Sequence, residues 1–265
     1  MLVFERTIAG VIRYRRVFFP RYDQLAKLVK DLRATDVVRV FSASAIYSTE
    51  VRPIVQREAQ TTFVDLSKGQ DAIYSAMPSS CRYKVRRAHR MRDRIDIAMN
   101  TGVAVSDFME LYNRFARAKR NLPILTPQRF NEYMPYADVF MLYFEGRPTC
   151  GRLVLRDAEA RTALMLHSGS RRLEAGVDTI TVGLLNRYLH WHEMKTYQAA
   201  GMEKYDFGGA GPATPTVTQF KTSFGGHLIT YHYGLYAGTA RIAWALAHSL
   251  YTRWTDGPEA LRAHT

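Results

Sequence analysis

Two pairs of glycines flank a lysine near the carboxyl end of the chain. Residues 204–226 read KYDFGGAGPATPTVTQFKTSFGG, with Lys221 between the pair Gly208 and Gly209 and a second pair. Because glycine has no Cβ, its backbone N–H can approach an incoming group closely. Phenylalanines on both sides of Lys221 predict that its aliphatic stem is packed. The segment is therefore the candidate site for holding a substrate beside a packed ammonium.

A second candidate is a dense run of basic residues, in which only Asp93 is acidic. Every fourth residue from Arg82 to Arg94 is an arginine, and on a helix such residues form one stripe that recruits an anion. A solvated basic surface without a ligand is the alternative interpretation. The predicted anion-binding residues are Arg82, Lys84, Arg86, Arg87 and Arg90.

The loop before a long predicted helix is a third candidate. A helix N-terminus offers free N–H groups and a positive dipole to phosphate. Ser170, Arg171 and Arg172 lie in this loop and are the predicted donor-binding residues. His190 and His192 lie two apart on the same helix and point to different faces, so no metal site is expected.

Composition limits the class of protein. The chain has 265 residues, 47% of them hydrophobic and 23% charged, which is typical of a globular protein with a sizeable core. A net charge of +13 predicts an anionic partner such as coenzyme phosphates, tRNA, a nucleotide-linked precursor or an anionic membrane face. Cys81 and Cys150 show neither metal-ligand nor redox spacing. The sequence predicts no leader peptide and no integral membrane span, and hence a cytoplasmic protein.

Hydrophobic periodicity predicts alternating helices and strands without internal repeats. Ser106 or Asp107 is predicted to cap a helix that follows a strand near residue 96, and Gly201 is predicted to end the long helix. Three successive strands between them are predicted to form an antiparallel meander. The predicted helices are 22–33, 69–77, 79–92, 126–137, 178–200 and one carrying Phe220 and Lys221. The predicted strands are 36–43, 61–66, three within 138–168, 204–207 and 228–237.

The spaced elements YDFGG, FK and FGG resemble the signature of the Fem-type peptidyltransferases, the peptidoglycan bridge-forming branch of the GNAT acyltransferase superfamily. The basic segment SSCRYKVRRAHR resembles a basic helix at the same relative place in that family. The resemblance implies an α/β fold with a mixed, largely antiparallel, twisted sheet and helices on both faces. It implies a GNAT-like domain at 99–237, preceded by an abbreviated GNAT-like unit at 1–98 and followed by a helix and tail at 238–265.

The same resemblance implies roles for particular residues. Lys221 is implicated at the acyl-transfer centre, with Gly208, Gly209 and Phe220 at the donor site. Asp206 is expected either to form a hydrogen bond with the local backbone or to accept a proton. Of these two roles, the hydrogen bond with the backbone is preferred. His167, at the end of a core strand, is held as a base for the attacking amine, although a satisfied polar terminus is the other interpretation.

The predicted activity is an acyltransferase that moves an aminoacyl group from aminoacyl-tRNA to an amine and forms an amide. The loop RRLEAGVDT has one glycine and departs from the pyrophosphate loop of acyl-CoA enzymes, as Fem-type sequences do. Acyl-CoA or an acyl-carrier protein is the alternative donor, and a non-catalytic binding module is the second alternative. The acceptor is expected to be a peptide or small molecule with an amine, and no tightly bound cofactor is expected.

Overall fold

The computed structural model describes residues 1–43, 53–120, 122–211 and 214–256, without the side chains of residues 42, 43 and 250–256. The chain forms two compact units. Unit 1 contains the described residues up to Thr61, Gly209–Thr214 and those from Leu228 onward. Unit 2 contains Thr62–Gly208 and Pro215–His227, so both the glycine turn and the lysine helix of the candidate site are assigned to it, apart from Gly209.

Unit 1 is a small mixed sheet. Its elements are β1 (Leu2–Ile8), β2 (Ile12–Phe18), α1 (Tyr22–Lys30), β3 (Asp36–Ala43), the first part of β4 (Val55–Asp65), most of β10 (His227–Ala237) and α8 (Arg241–Asp256). β1 and β2 form a hairpin, β2 and β3 pair in parallel, and β3 pairs antiparallel with β10. β-branched residues such as Val17, Val38 and Val40 fill the core because they pack well on a pleated surface.

Unit 2 contains the predicted three-strand meander. Its elements are the end of β4, α2 (Gln70–Ala76), α3 (Ser79–His89), β5 (Ile95–Met99), α4 (Gly102–Lys119), α5 (Pro127–Tyr133), β6 (Ala137–Phe144), β7 (Arg147–Asp157), β8 (Thr162–Ser170), α6 (Thr179–Ala199), most of β9 (Lys204–Ala210) and α7 (Pro215–Thr222). Strands β5 to β8 pair antiparallel in chain order, and β8 pairs with β9 in parallel.

Side-chain and glycine caps define the ends of α4 and α6, and the predicted cap of α4 is wrong. The helix predicted to begin at Ser106 or Asp107 begins earlier, because the Thr101 hydroxyl accepts from the Ala104 N–H at 3.1 Å and caps α4 there. At the end of α6, Gly201 has a φ of +77° and its N–H donates to the Gln198 carbonyl at 3.1 Å. The predicted glycine stop of the long helix is confirmed.

The two units divide the chain differently from the predicted boundaries at residues 98 and 237. Residues 62–98 pack with residues 99–208 rather than with the first strands, and residues 228–237 pack with the N-terminal strands. The physical reason is strand pairing between distant segments: β10 joins β3 through Leu235–Arg39 and Tyr236–Val38. No helix within the described ranges combines the length and the apolar character that crossing a bilayer requires.

A glycine of unit 1 offers a stability test. A Cβ at Gly238 would lie 2.0 Å from the Arg33 carbonyl oxygen and 2.5 Å from that of Ala34. Neither backbone oxygen can move without shifting the chain, so we expect Gly238→Ala to lower the free energy of unfolding by about 1–3 kcal/mol or more. The matched control is Gly183→Ala in α6, where no atom of the described residues, apart from the helix's own backbone, lies within 4 Å of the added Cβ.

The control is expected to raise the free energy of unfolding by roughly 0.5–1 kcal/mol, because alanine has the higher helix propensity. Urea denaturation followed by circular dichroism measures both variants. Equal stability of Gly238→Ala and the wild-type protein would contradict the packing described at this position.

Candidate functional site

Strands β8 and β9 pair over a short stretch and then stop. Among the described residues, the backbone pairs between β8 and β9 are Thr162–Lys204, Ala163–Tyr205 and Leu164–Asp206. Both strands continue beyond these pairs. Gly208 follows the last pair with a φ of +68°, and a Cβ there would lie 3.1 Å from the Met165 carbonyl oxygen. A side chain at this position would be strained and crowded, so glycine is required where the two strands stop pairing.

The carboxylate of Asp206 fixes the glycine turn. Its Oδ1 accepts from the Gly208 N–H at 2.7 Å, and the side chain is buried. This is the local backbone role that the sequence placed ahead of proton transfer for Asp206. Gly209 is buried and follows in β9.

Lys221 lies in α7 with only 4% of its surface exposed. Its Nζ donates to the Gly208 carbonyl oxygen at 2.9 Å, so the lysine and the glycine turn of the motif meet. Burial lowers the pKa of Lys221 to about 8, and the negative charge of Asp206 acts in the opposite direction. The predicted packing of the lysine stem is therefore observed, and it places an ammonium in a low-dielectric environment.

The aromatic residues of the motif converge on one histidine of α6. The ring of His190 lies 4.9 Å from that of Phe207, 5.6 Å from Phe220 and 5.3 Å from Phe224. Burial and the nearby charges of Arg152, Lys221 and Arg187 hold the pKa of His190 well below its usual range, so the ring is neutral. The sequence interpretation considered His190 only as a metal ligand and missed this packing role. Among the described residues, no group of three His, Cys, Asp or Glu side chains could hold a metal ion.

Helix α6 also contributes to a buried ion pair. Arg152 of β7 and Glu193 of α6 are both fully buried, with the Arg152 Nε 3.7 Å from the Glu193 Oε1. Arg152 also donates to Asn186 Oδ1 at 2.6 Å, and the Tyr205 hydroxyl donates to Glu193. Tyr205 belongs to the YDFGG strand, so this network ties that strand to α6. A sequence signal existed, since Glu193 continues the buried spacing of residues 182, 185 and 189.

A second cation lies next to the FK pair and was also missed. Arg187 of α6 lies over the ring of Phe220, with its Cζ 4.5 Å from the ring centroid. Its Nη1 donates to Ser223 Oγ at 2.7 Å, and Ser223 lies directly before Phe224. The arginine is half-buried. Phe220 is therefore next to two cations: Lys221 follows it in α7, and Arg187 of α6 lies over its ring.

A cavity of about 400 Å³ adjoins the second glycine pair. Phe224, Val64 and Ile73 form its apolar part, and Lys68 and His227 are among its polar lining residues. Lys221 is not one of the described residues that line it, so this ammonium lies outside the cavity wall. The cavity provides space for part of a substrate next to the FGG turn.

His167 occupies a different environment from the one around Lys221. Its ring lies 4.8 Å from that of Tyr112 on α4 and 6.0 Å from that of Tyr133 on α5. Lys221 instead contacts β9 through Gly208. A role for His167 in accepting the proton of an amine stays a prediction.

The loop before α6 differs from the expected phosphate site. The Asp178 carboxylate accepts from the N–H groups of Ile180 at 2.9 Å and Thr181 at 3.2 Å, so these donors of the helix N-terminus are already bonded. Arg171 pairs with Glu174 at 2.6 Å. Asp178 thus takes the place at the N-terminus that an anionic ligand was expected to occupy. Donor binding by Ser170, Arg171 and Arg172 stays a prediction.

The predicted arginine stripe is only partly present. α3 ends at His89, so Arg94 lies in a separate short turn, where it bonds Glu145. Arg82 donates to the carbonyl oxygens of Ser75 and Met77, both at 2.9 Å, and so holds the end of α2. The prediction that Arg82, Arg86, Arg90 and Arg94 form one stripe on a single helix is therefore wrong. The remaining predicted residues, Lys84, Arg86, Arg87 and Arg90, are exposed.

The chain is similar to known proteins in structure, but the sequence comparisons find no match. No protein-family model matches the chain. No curated protein matches it either. Among solved structures, FemX superposes with a TM-score of 0.66 at 12% identity, over 92% of this chain and 86% of that one.

Two further structures have similar coverage. One is the C-terminal domain of a putative lysylphosphatidylglycerol synthetase from Agrobacterium fabrum, with a TM-score of 0.57 at 16% identity over 94% of this chain and 84% of that one. The other is L-PGS from Bacillus licheniformis, with a TM-score of 0.52 at 12% identity over 94% and 84%. The chain shares the fold of these three structures, and the predicted mixed α/β fold class is confirmed.

Proposed function

We propose that this chain is an acyltransferase that moves an aminoacyl group from aminoacyl-tRNA to an amine and forms an amide. The observation that carries the proposal is the buried ammonium of Lys221, 2.9 Å from the Gly208 carbonyl oxygen where β8 and β9 stop pairing. A fixed cation in a water-poor site stabilises the negative charge that develops on a carbonyl oxygen under attack. The Fem-like fold supports this reaction class.

The reaction joins the amine nitrogen to the carbonyl carbon and breaks the ester bond to the terminal ribose of the tRNA. The attacking nitrogen loses a proton, and the ribose oxygen leaves as the alcohol after gaining one. Lys221 stabilises the tetrahedral oxyanion between these two steps. The carboxylate of Asp206 holds the Gly208 turn against which the lysine is fixed.

Acyl-CoA or an acyl-carrier protein is the alternative donor. Both are anionic, as tRNA is, so the net charge of +13 supports each of them. The bonded N-terminus of α6 disfavours a pyrophosphate at that place, because Asp178 already accepts from Ile180 and Thr181. This feature is the reason for retaining tRNA as the first donor.

The test is to incubate the purified protein with tRNA charged with labelled amino acids and a panel of small amines. Mass spectrometry then identifies any new amide. Ribonuclease added before the amine should abolish the product, and Lys221→Met should greatly reduce it. Turnover with acyl-CoA or acyl-carrier protein, but not with charged tRNA, would replace the proposed donor. An absence of product with every donor would favour a binding module without activity.

A further inference from the structure

Arg187 is half-buried and has no carboxylate partner within the described residues. Two other arginines of unit 2 have a carboxylate partner, Arg152 with Glu193 and Arg171 with Glu174, whereas Arg82 bonds backbone carbonyl oxygens. Removing a guanidinium from water without a counter-ion costs free energy, and a bound anion compensates for that cost. The arrangement therefore has the features of a binding site for an anion.

The guanidinium is held in place on two sides. Its Cζ lies 4.5 Å from the ring centroid of Phe220 and 5.6 Å from that of Phe224. Its Nη1 donates to Ser223 Oγ at 2.7 Å and lies 3.4 Å from Cys81 Sγ. A stacked and hydrogen-bonded arginine loses little further conformational entropy when a ligand binds.

The edge of the guanidinium that carries Nε and Nη2 makes no hydrogen bond within the described residues. This edge presents two parallel N–H groups, which match two oxygens of one oxyanion. Arg13 uses the same edge in this chain: its Nε donates to Asp36 Oδ1 at 2.8 Å and its Nη2 donates to Asp36 Oδ2. Arg187 offers the same pair of donors, and no residue that the structure describes accepts from them.

We propose that Arg187 binds a phosphate ester of the acyl donor through its Nε and Nη2 edge. The proposal rests on the acyl transfer proposed above, because Phe220, on which Arg187 stacks, directly precedes Lys221. A phosphate ester occurs both in the terminal nucleotide of a charged tRNA and at the end of a phosphopantetheine arm that lies away from the thiol. The shared chemistry is a phosphate ester of the donor, and two probes separate the sources.

The experiment measures binding by isothermal titration calorimetry at low salt. Adenosine 5′-monophosphate represents the terminal nucleotide of tRNA, and 4′-phosphopantetheine represents coenzyme A and carrier proteins. We expect Arg187→Gln to weaken the binding of one probe by about tenfold or more, which corresponds to about 1.4 kcal/mol. Arg187→Lys keeps the charge but loses the paired donors, so an intermediate effect is expected.

Arg94→Gln is the matched control. Arg94 also stacks on a phenylalanine, with its Cζ 4.6 Å from the Phe144 centroid, but its Nε and Nη2 edge bonds Glu145. Circular dichroism of every variant checks the fold. Equal affinities for wild-type protein and Arg187→Gln, a similar loss in Arg94→Gln, or no binding of either probe to the wild type would each overturn the proposal.

The binding measurement is independent of turnover, so the two proposals can fail separately. Binding that depends on Arg187 without any product would overturn acyl transfer alone. If product is found, we expect Arg187→Gln to raise the KM for the donor with little change in kcat, whereas Lys221→Met lowers kcat. A change in kcat alone for Arg187→Gln would overturn the binding role.

Discussion

Lys221→Met is expected to lower kcat for acyl transfer by about 10²–10³-fold, the usual effect of removing one fixed oxyanion-stabilising group. Methionine has a similar length and fills the buried position of the lysine stem, so the substitution removes mainly the charge. KM for the donor should change little, since the contact forms as the carbonyl oxygen gains charge. Steady-state kinetics measure both constants.

Lys195→Met is the matched control, because Lys195 is a half-buried lysine of α6 near the ring of Trp191. We expect it to retain wild-type kcat. If Lys221→Met also retained wild-type kcat while wild-type turnover was measurable, Lys221 would have a structural role only.

Lys221→Met is expected to lower activity but to raise the free energy of unfolding at neutral pH. Burial lowers the pKa of Lys221 from 10.5 to about 8, so the charged form is disfavoured in the folded protein. Below about pH 8 both folded and unfolded states carry the proton, and the full cost of burying the charge is present. Lys221→Met removes this cost of burying a charge, so it should be more stable than wild type at pH 7.

Between about pH 8 and 10.5 the unfolded state binds more protons than the folded state, so wild-type stability gains relative to Lys221→Met as the pH rises. Urea denaturation at pH 7 and pH 10 measures this difference. The rate should also fall as the pH rises above about 8, because the neutral lysine stabilises an oxyanion poorly. A Lys221→Met variant that was less stable than wild type at pH 7 would mean that the loss of the bond from Lys221 Nζ to the Gly208 carbonyl oxygen outweighs the cost of burying the charge.

Local patterns account for the parts of the fold that the sequence predicted. The alternation and turns of residues 137–170 predict the meander, and β3 has the predicted bounds Asp36–Ala43. The glycine stop of α6 depends on a single residue and its immediate neighbours. The motif likewise predicted a packed Lys221, because Phe220 and Phe224 lie beside it in the chain.

Features that depend on contacts between residues far apart in sequence could not be predicted from local patterns. The role of Arg82 became visible only with the end of α2 beside it, because its donors bond Ser75 and Met77. The assignment of residues 62–98 to unit 2 depends on tertiary packing. The ion pair of Arg152 and Glu193 joins residues that are far apart in sequence, and charged residues are expected at the surface unless paired.

This buried ion pair has the largest expected effect on stability. Glu193→Ala leaves the guanidinium of Arg152 buried without its carboxylate, and we expect the free energy of unfolding to fall by about 3–5 kcal/mol. The Tyr205 hydroxyl loses its acceptor as well, so the YDFGG strand loses a contact with α6. Tyr197→Phe is a milder comparison, because it removes a hydroxyl that donates to Asp138 at 3.0 Å but leaves both charges of the ion pair in place.

A double variant separates the charge effect from packing. Arg152→Met combined with Glu193→Leu should be more stable than Glu193→Leu alone, because no unpaired charge remains in the core. Burial raises the pKa of Glu193 from 4.5 to about 7, so between these values the folded state binds more protons than the unfolded state. Wild-type stability should therefore fall relative to Glu193→Gln as the pH rises from about 4.5 to 7. A double variant no more stable than Glu193→Leu, together with a flat pH difference, would mean that Arg152 does not depend on this carboxylate.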